Sequence, residues 1–112
     1  MAEIIWTEPA LQDLEAIADY IALDKPEAAQ QLVQRVFAHV GQLASHPESG
    51  SKPPELRGLE CRQIVEPPCR VFYRDDGQRV FILHVMRGEM LLRQKKIMER
   101  DKPSQAQSGR RG

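Results

Sequence analysis

Cysteine, histidine and aromatic side chains are scarce in this chain: two Cys, three His and 5% Phe, Trp and Tyr. Neither Cys61 nor Cys69 forms part of a CxxC pair, and His39, His46 and His84 show no metal-ligand spacing. A zinc site is therefore not expected, and no metal or cofactor is. Long apolar runs are missing too. The nearest candidate is Val80 to Leu83, far short of the roughly 20 residues a membrane helix needs. Met1-Ala2-Glu3 lacks a basic leader, so the residues predict a cytoplasmic protein with no membrane partner. The formal net charge is zero, which removes any general drive toward nucleic acid and counts against a plain DNA-binding domain.

At 112 residues, 41% hydrophobic and 29% charged, the composition suits one folded domain with a real core. The expected division is a single domain over residues 1–100 and a disordered tail over 101–112, where no large apolar residue occurs. The zero net charge conceals a polarity. Residues 1–56 hold three basic residues (Lys25, Arg35, Lys52) against nine acidic ones, whereas residues 57–100 hold ten basic against six acidic. A basic half joined to an acidic half can face two kinds of partner.

Ile4-Ile5-Trp6 is β-prone. Thr7-Glu8-Pro9 then supplies a capping hydroxyl, an early carboxylate and a first-turn proline, so a strand should run directly into a helix. Leu11, Leu14, Ile17, Ala18 and Ile21 recur at spacings of three and four as its buried stripe. Asp24-Lys25-Pro26 ends that helix and opens another, whose Ala29, Leu32, Val33, Val36, Val40 and Leu43 share a side with Phe37 beside them, up to His46-Pro47. So short a connection requires an antiparallel helical hairpin. His39 reads as a helix-surface residue and His46 as a favourable last-turn cation, with no orienting acid in sequence for either. Glu48 to Glu55 is a loop by composition.

From Arg57 to Arg87 three β-rich runs are separated by two turn signals. Leu59 to Val65, Cys69 to Arg74 and Val80 to Met86 are the expected strands of an antiparallel meander. Glu66-Pro67-Pro68 makes the first break and Asp76-Gly77, suited to positive φ, the second. With the first turn centred on Pro67, Cys69 lies opposite Val65, four residues or roughly 13 Å from Cys61, so two free thiols are expected. The third strand is apolar on both faces and should be central, covered on one face by the hairpin and on the other by the C-terminal segment, a partner, or both. His84 within it reads as a core histidine. Arg57, Arg62, Arg70, Arg74, Arg79 and Arg87 stand on or beside these strands, close enough for several guanidinium groups to share one anion-seeking surface. After Arg87-Gly88, the segment EMLLRQKKIMER is expected to form a basic amphipathic helix.

This order of elements, with IIWTEPALQDLEAIADYI, ELRGLECRQIV, CRVFYR and RVFILHVMRG, resembles the RelE/ParE family of toxins from bacterial type II toxin–antitoxin systems. The resemblance covers residues 3 to about 98 and implies an α+β fold: an N-terminal strand, a helical hairpin packed on a twisted antiparallel sheet, and a C-terminal basic helix. Two activities follow from it. RelE-like members are ribosome-dependent mRNA endoribonucleases. Under that reading Arg62 and Arg87 match functional strand arginines, with Lys52 or Arg57 as loop cations. A guanidinium stabilises phosphate charge but stays protonated, and no tyrosine follows the last strand here. ParE-like members lack that tyrosine and poison DNA gyrase, and this chain is closer to them; no catalytic residue is then required. The expected target-binding residues are Arg62, Arg70, Arg74, Arg87, Arg93, Lys95 and Lys96. The resemblance also implies a cognate antitoxin, expected on Trp6, Leu11, Leu14, Ile17 and Ile21, and contact with operator DNA only through that antitoxin. Trp6 has the competing role of closing one end of the core. A toxin-fold protein acting only as a binding module is the third possibility.

Overall fold

Thr7 turns strand into helix. In a computed structural model describing residues 1–88 and 96–101, β1 (Glu3–Trp6) passes directly into α1 (Glu8–Ala22). The Thr7 hydroxyl accepts from the Ala10 N–H and donates to the Ile82 carbonyl at 2.6 Å, so the same side chain caps the helix and ties it to the sheet. Pro26 opens α2 (Pro26–Gly41), completing the antiparallel hairpin. The buried stripe of α1 is Ala10, Leu14, Ile17 and Ile21, at helical intervals of four, three and four. Leu11, placed in the stripe from sequence, lies one residue off it and is 40% exposed.

Three strands follow: β2 (Arg62–Glu66), β3 (Cys69–Asp75) and β4 (Arg79–Arg87). They form the expected antiparallel meander, but β1 pairs in parallel with β4, giving the order β1-β4-β3-β2. The sheet is therefore mixed rather than antiparallel throughout. The helical hairpin carries the chain across one face of the sheet from β1 at one edge to β2 at the other, so the incoming strand and the last strand become neighbours. β4 is central, and Val80 to Met86 are all buried.

Turn chemistry corrects two details. Cys69 pairs with Glu66 rather than Val65, so the first turn is centred between Pro67 and Pro68, half a position beyond the sequence estimate, and β2 starts at Arg62 rather than Leu59. At the second turn only Gly77 takes a positive φ, of 93°. Asp76 instead accepts the N–H groups of Gln78 and Arg79 on its carboxylate, the local turn bonding that aspartate performs well. Cys61 and Cys69 form no disulfide, and both are buried.

Two apolar clusters lie on opposite faces of the sheet. Toward the hairpin are Leu14, Leu32, Val36, Val71, Tyr73, Ile82 and Val85, among others; on the far face are Leu56, Cys61, Phe72, Phe81, Leu83, Met86 and Ile97. The step of three from Ile82 to Val85 and from Leu83 to Met86 marks a bulge: Tyr73 pairs with Ile82 and Phe72 with His84, skipping Leu83. The far face is covered by the C-terminal segment through α3, helical over residues 96–101, whose Ile97 is 1% exposed. Asp101, assigned to the tail from sequence, is helical and buried; residues 102–112 lie outside the described residues. No helix among the described residues is long and apolar enough to cross a membrane.

Candidate functional site

The bulge and the early end of β1 leave one edge of β4 without a strand partner, and a polar hub forms there. Asp13, three residues after Ala10 and four before Ile17 and so flanking the apolar stripe of α1, accepts the Val85 N–H at 3.1 Å and lies 2.7 Å from His84 Nδ1. Arg100 of α3 donates to both Asp13 oxygens, and to the Leu83 carbonyl at 3.2 Å. Side chains thus satisfy the backbone groups that another strand would otherwise pair. His84 is the core histidine expected from sequence, 6% exposed and stacked on Phe72.

Burial alone would raise the Asp13 carboxyl, but the bonds from His84, Arg100 and the Val85 N–H outweigh it and bring the pKa from 3.8 to about 2. A carboxylate depressed in the folded state adds stability above its unfolded pKa, and that contribution disappears as pH falls through the folded one. Urea midpoints should therefore fall between pH 3.8 and about 2. Asp13→Asn should flatten this acid limb, leaving the smaller part due to Glu55, lowered by Arg70, and Asp76, lowered by the Arg79 and Gln78 N–H groups. An unchanged limb in the variant would place the titration elsewhere.

The strand arginines divide by face. Arg70, Arg74 and Arg79 lie on the far face, whereas Arg62 and Arg87 lie on the hairpin side, opposite Tyr73 and Cys69. Arg70 makes a bidentate pair with Glu55 at 2.8 and 2.9 Å, bonds Gln63, and sits over Phe72. Arg74 bonds Asp101 at 2.9 Å over the Phe81 ring. Arg62 donates to the Gly50 carbonyl. The shared anion-seeking surface expected from spacing is thus broken up: Arg62, Arg70 and Arg74 are held by acceptors within the chain, in charge-assisted or carbonyl bonds that order the loop and α3.

Tyr73 anchors the same loop. Its hydroxyl donates to the Pro47 carbonyl at 2.8 Å and accepts from the Gly50 N–H at 3.0 Å, and burial raises its pKa. A Cβ on Gly50 would meet the Gln63 carbonyl oxygen at 2.5 Å and the Tyr73 hydroxyl at 2.6 Å, so the close approach requires glycine.

Of the remaining expected target residues, Lys96 is exposed, and Arg93 and Lys95 lie outside the described residues. Arg87 stands with its guanidinium carbon 5.4 Å from the centre of the Tyr20 ring, which is 64% exposed. Arg87 and Tyr20 line a surface cavity of about 460 Å³ with Ile21, Leu23, Asp24 and Lys25. Lys52 and Arg57 line another, of about 520 Å³, in the loop before β2. His39 has the orienting acid that sequence did not supply: Glu66 of β2, 3.1 Å away, which Arg35 also contacts.

Among the expected antitoxin contacts, Leu14 is in the core, Ile17 and Ile21 are partly buried against it, and Leu11 is exposed. Trp6 is partly buried, its ring 4.8 Å from that of Phe37. Sequence reasoning missed Asp13, Glu55 and Asp101. From sequence Asp13 reads as part of the polar side of an amphipathic pattern, and nothing local marks it as the partner of a residue 87 positions away.

The fold and its arginine-bearing sheet define a small toxin domain of the kind found in toxin–antitoxin pairs. The solved structure of the chromosomal ParDE system from P. aeruginosa matches with a TM-score of 0.68 and 29% identity, over 80% of this chain and 98% of that one. The family description "ParE toxin of type II toxin-antitoxin system, parDE" matches residues 4–92, and the chain belongs to this RelE/ParE family. It is 37% identical over 89 residues to the toxin RelE2 of Caulobacter vibrioides, covering 78% of this chain and 92% of the relative. To a putative toxin of Sinorhizobium fredii it is 36% identical over 83 residues, 74% and 84% of the two chains.

Proposed function

We propose that this toxin acts as a ParE-like poison of DNA gyrase, blocking replication, and that a cognate antitoxin neutralises it. The observation that carries the choice of target is the scarcity of proton-transfer groups. The only tyrosines are Tyr20 and Tyr73; the Tyr73 hydroxyl is held by Pro47 and Gly50, and His84 is enclosed beside Asp13. RNA cleavage through the 2′-OH needs a base and an acid at the phosphate, whereas trapping an enzyme on DNA needs only a binding surface. Arg87 and Lys96 are the residues proposed to meet the target.

The antitoxin is proposed to lie along the hairpin, where Phe37, half-exposed against the Trp6 ring, and the exposed Leu11 leave apolar surface for an amphipathic segment. Operator DNA would be reached through that antitoxin.

Purified protein should inhibit supercoiling by gyrase and accumulate cleaved DNA, and both effects should disappear on adding the antitoxin. Undisturbed gyrase at a large excess of a protein that still arrests growth would refute the assignment. A ribosome-dependent ribonuclease has one geometric point in its favour, the Arg87–Tyr20 pair. It requires transcripts cut during translation, with loss of cutting in both Arg87→Ala and Tyr20→Phe.

A further inference from the structure

Among the described residues, one buried apolar side chain and two ion pairs tie the C-terminal helix α3 to the rest of the fold. Ile97 is buried, but Met98 is 48% exposed, and a cavity of about 320 Å³ lies between α3 and the loop at Leu59 and Cys61. The links are Arg100 to Asp13 and Asp101 to Arg74. They differ in kind. Asp13 is fixed independently of α3, because it also accepts the Val85 N–H and meets His84. It is a preorganised anion at the sheet edge to which Arg100 docks, and a preorganised partner loses little freedom when the pair forms.

We propose that Asp13 is the positioning residue for α3: it sets the placement of the helix bearing Lys96, and α3 detaches from the sheet as a local unit while the hairpin and sheet stay packed. The second half follows from the division of the core, since α3 contributes Ile97 to the far-face cluster and nothing to the cluster beneath the hairpin. Segments with few apolar contacts open at lower free energy than the core they rest on. The functional consequence rests on the reading of Lys96 as a target contact; the structural claim does not.

The two cysteines report on the two faces. Cys61 lines the cavity beside Ile97, whereas Cys69 is in the hairpin-side cluster. In the full-length protein, 5,5′-dithiobis(2-nitrobenzoate) should label Cys61 at least about tenfold faster than Cys69, by opening of α3. Asp13→Asn keeps an acceptor for the Val85 N–H but removes the charge, and should speed Cys61 labelling by a further factor of about ten with Cys69 unchanged. Asp13→Glu should retain most of the protection. Arg100→Gln breaks the same link from α3 and should reproduce the effect even if the Asp13 variant folds poorly.

Labelling of both thiols at one common rate in every variant would show a single cooperative unit and overturn the proposal. So would a Cys61 rate within about twofold of the parent in both charge-removing variants. If the thiols behave as expected but gyrase inhibition is untouched in Asp13→Asn, the positioning of α3 stands and its role in target binding fails.

Discussion

A chain ending at residue 95 should lose on the order of 4 kcal/mol of stability while remaining folded. Removing α3 deletes the buried Ile97 and opens the cluster it shares with Phe72, Phe81, Leu83 and Met86; one such side chain is worth about 1.5 to 3 kcal/mol. It also strips Arg74 and Asp13 of charged partners, at about 1 to 3 kcal/mol for each group left unsatisfied, less where water can reach it. Urea titration should show a lowered midpoint, and the dye 8-anilinonaphthalene-1-sulfonate should bind the uncovered face. A midpoint equal to that of the full chain would mean that α3 does not cover the sheet in solution. Truncation is consequently a poor test of toxicity, since it removes core as well as charge; substituting exposed Lys96 leaves Ile97, Arg100 and Asp101 in place.

Phe72→Ala should cost more than any single surface change, about 3 to 5 kcal/mol, through lost burial and the cavity left behind. Phe72 is fully buried at the bulge, stacked on His84 at 5.8 Å and lying under the Arg70 guanidinium at 4.9 Å. The substitution therefore loosens the histidine beside Asp13 and the arginine that holds Glu55, in addition to opening a void. Phe72→Leu fills most of the space and should cost about half as much or less. Equal losses in the two variants, measured by urea denaturation, would show that packing volume is not what this position supplies.

The elements themselves were legible because their signals are local. Thr7-Glu8-Pro9 starts a helix, Asp24-Lys25-Pro26 joins two, and Asp76-Gly77 and Pro67-Pro68 divide three apolar runs into a meander. Each depends on backbone preferences acting over a few residues. The buried character of β4 and of His84 could likewise be read from a run apolar on both faces. The bulge at Leu83 could not, because it depends on how β3 and β4 settle against two different clusters.

The sequence by itself determined that this is a small α+β domain with an acidic hairpin, a basic meander and the pattern of a toxin family. Tertiary structure decided which charges face the outside. Arg62, Arg70 and Arg74 look alike along the chain as candidates for a target, yet Gly50, Glu55 and Asp101 take them up, and Arg100 is taken up by Asp13. The physical reason is that an arginine's partner depends on distance in space. The pairs 12 and 15 residues apart meet once the loop before β2 folds back on β2 and β3, and those 27 and 87 apart only after the C-terminal helix has closed on the sheet.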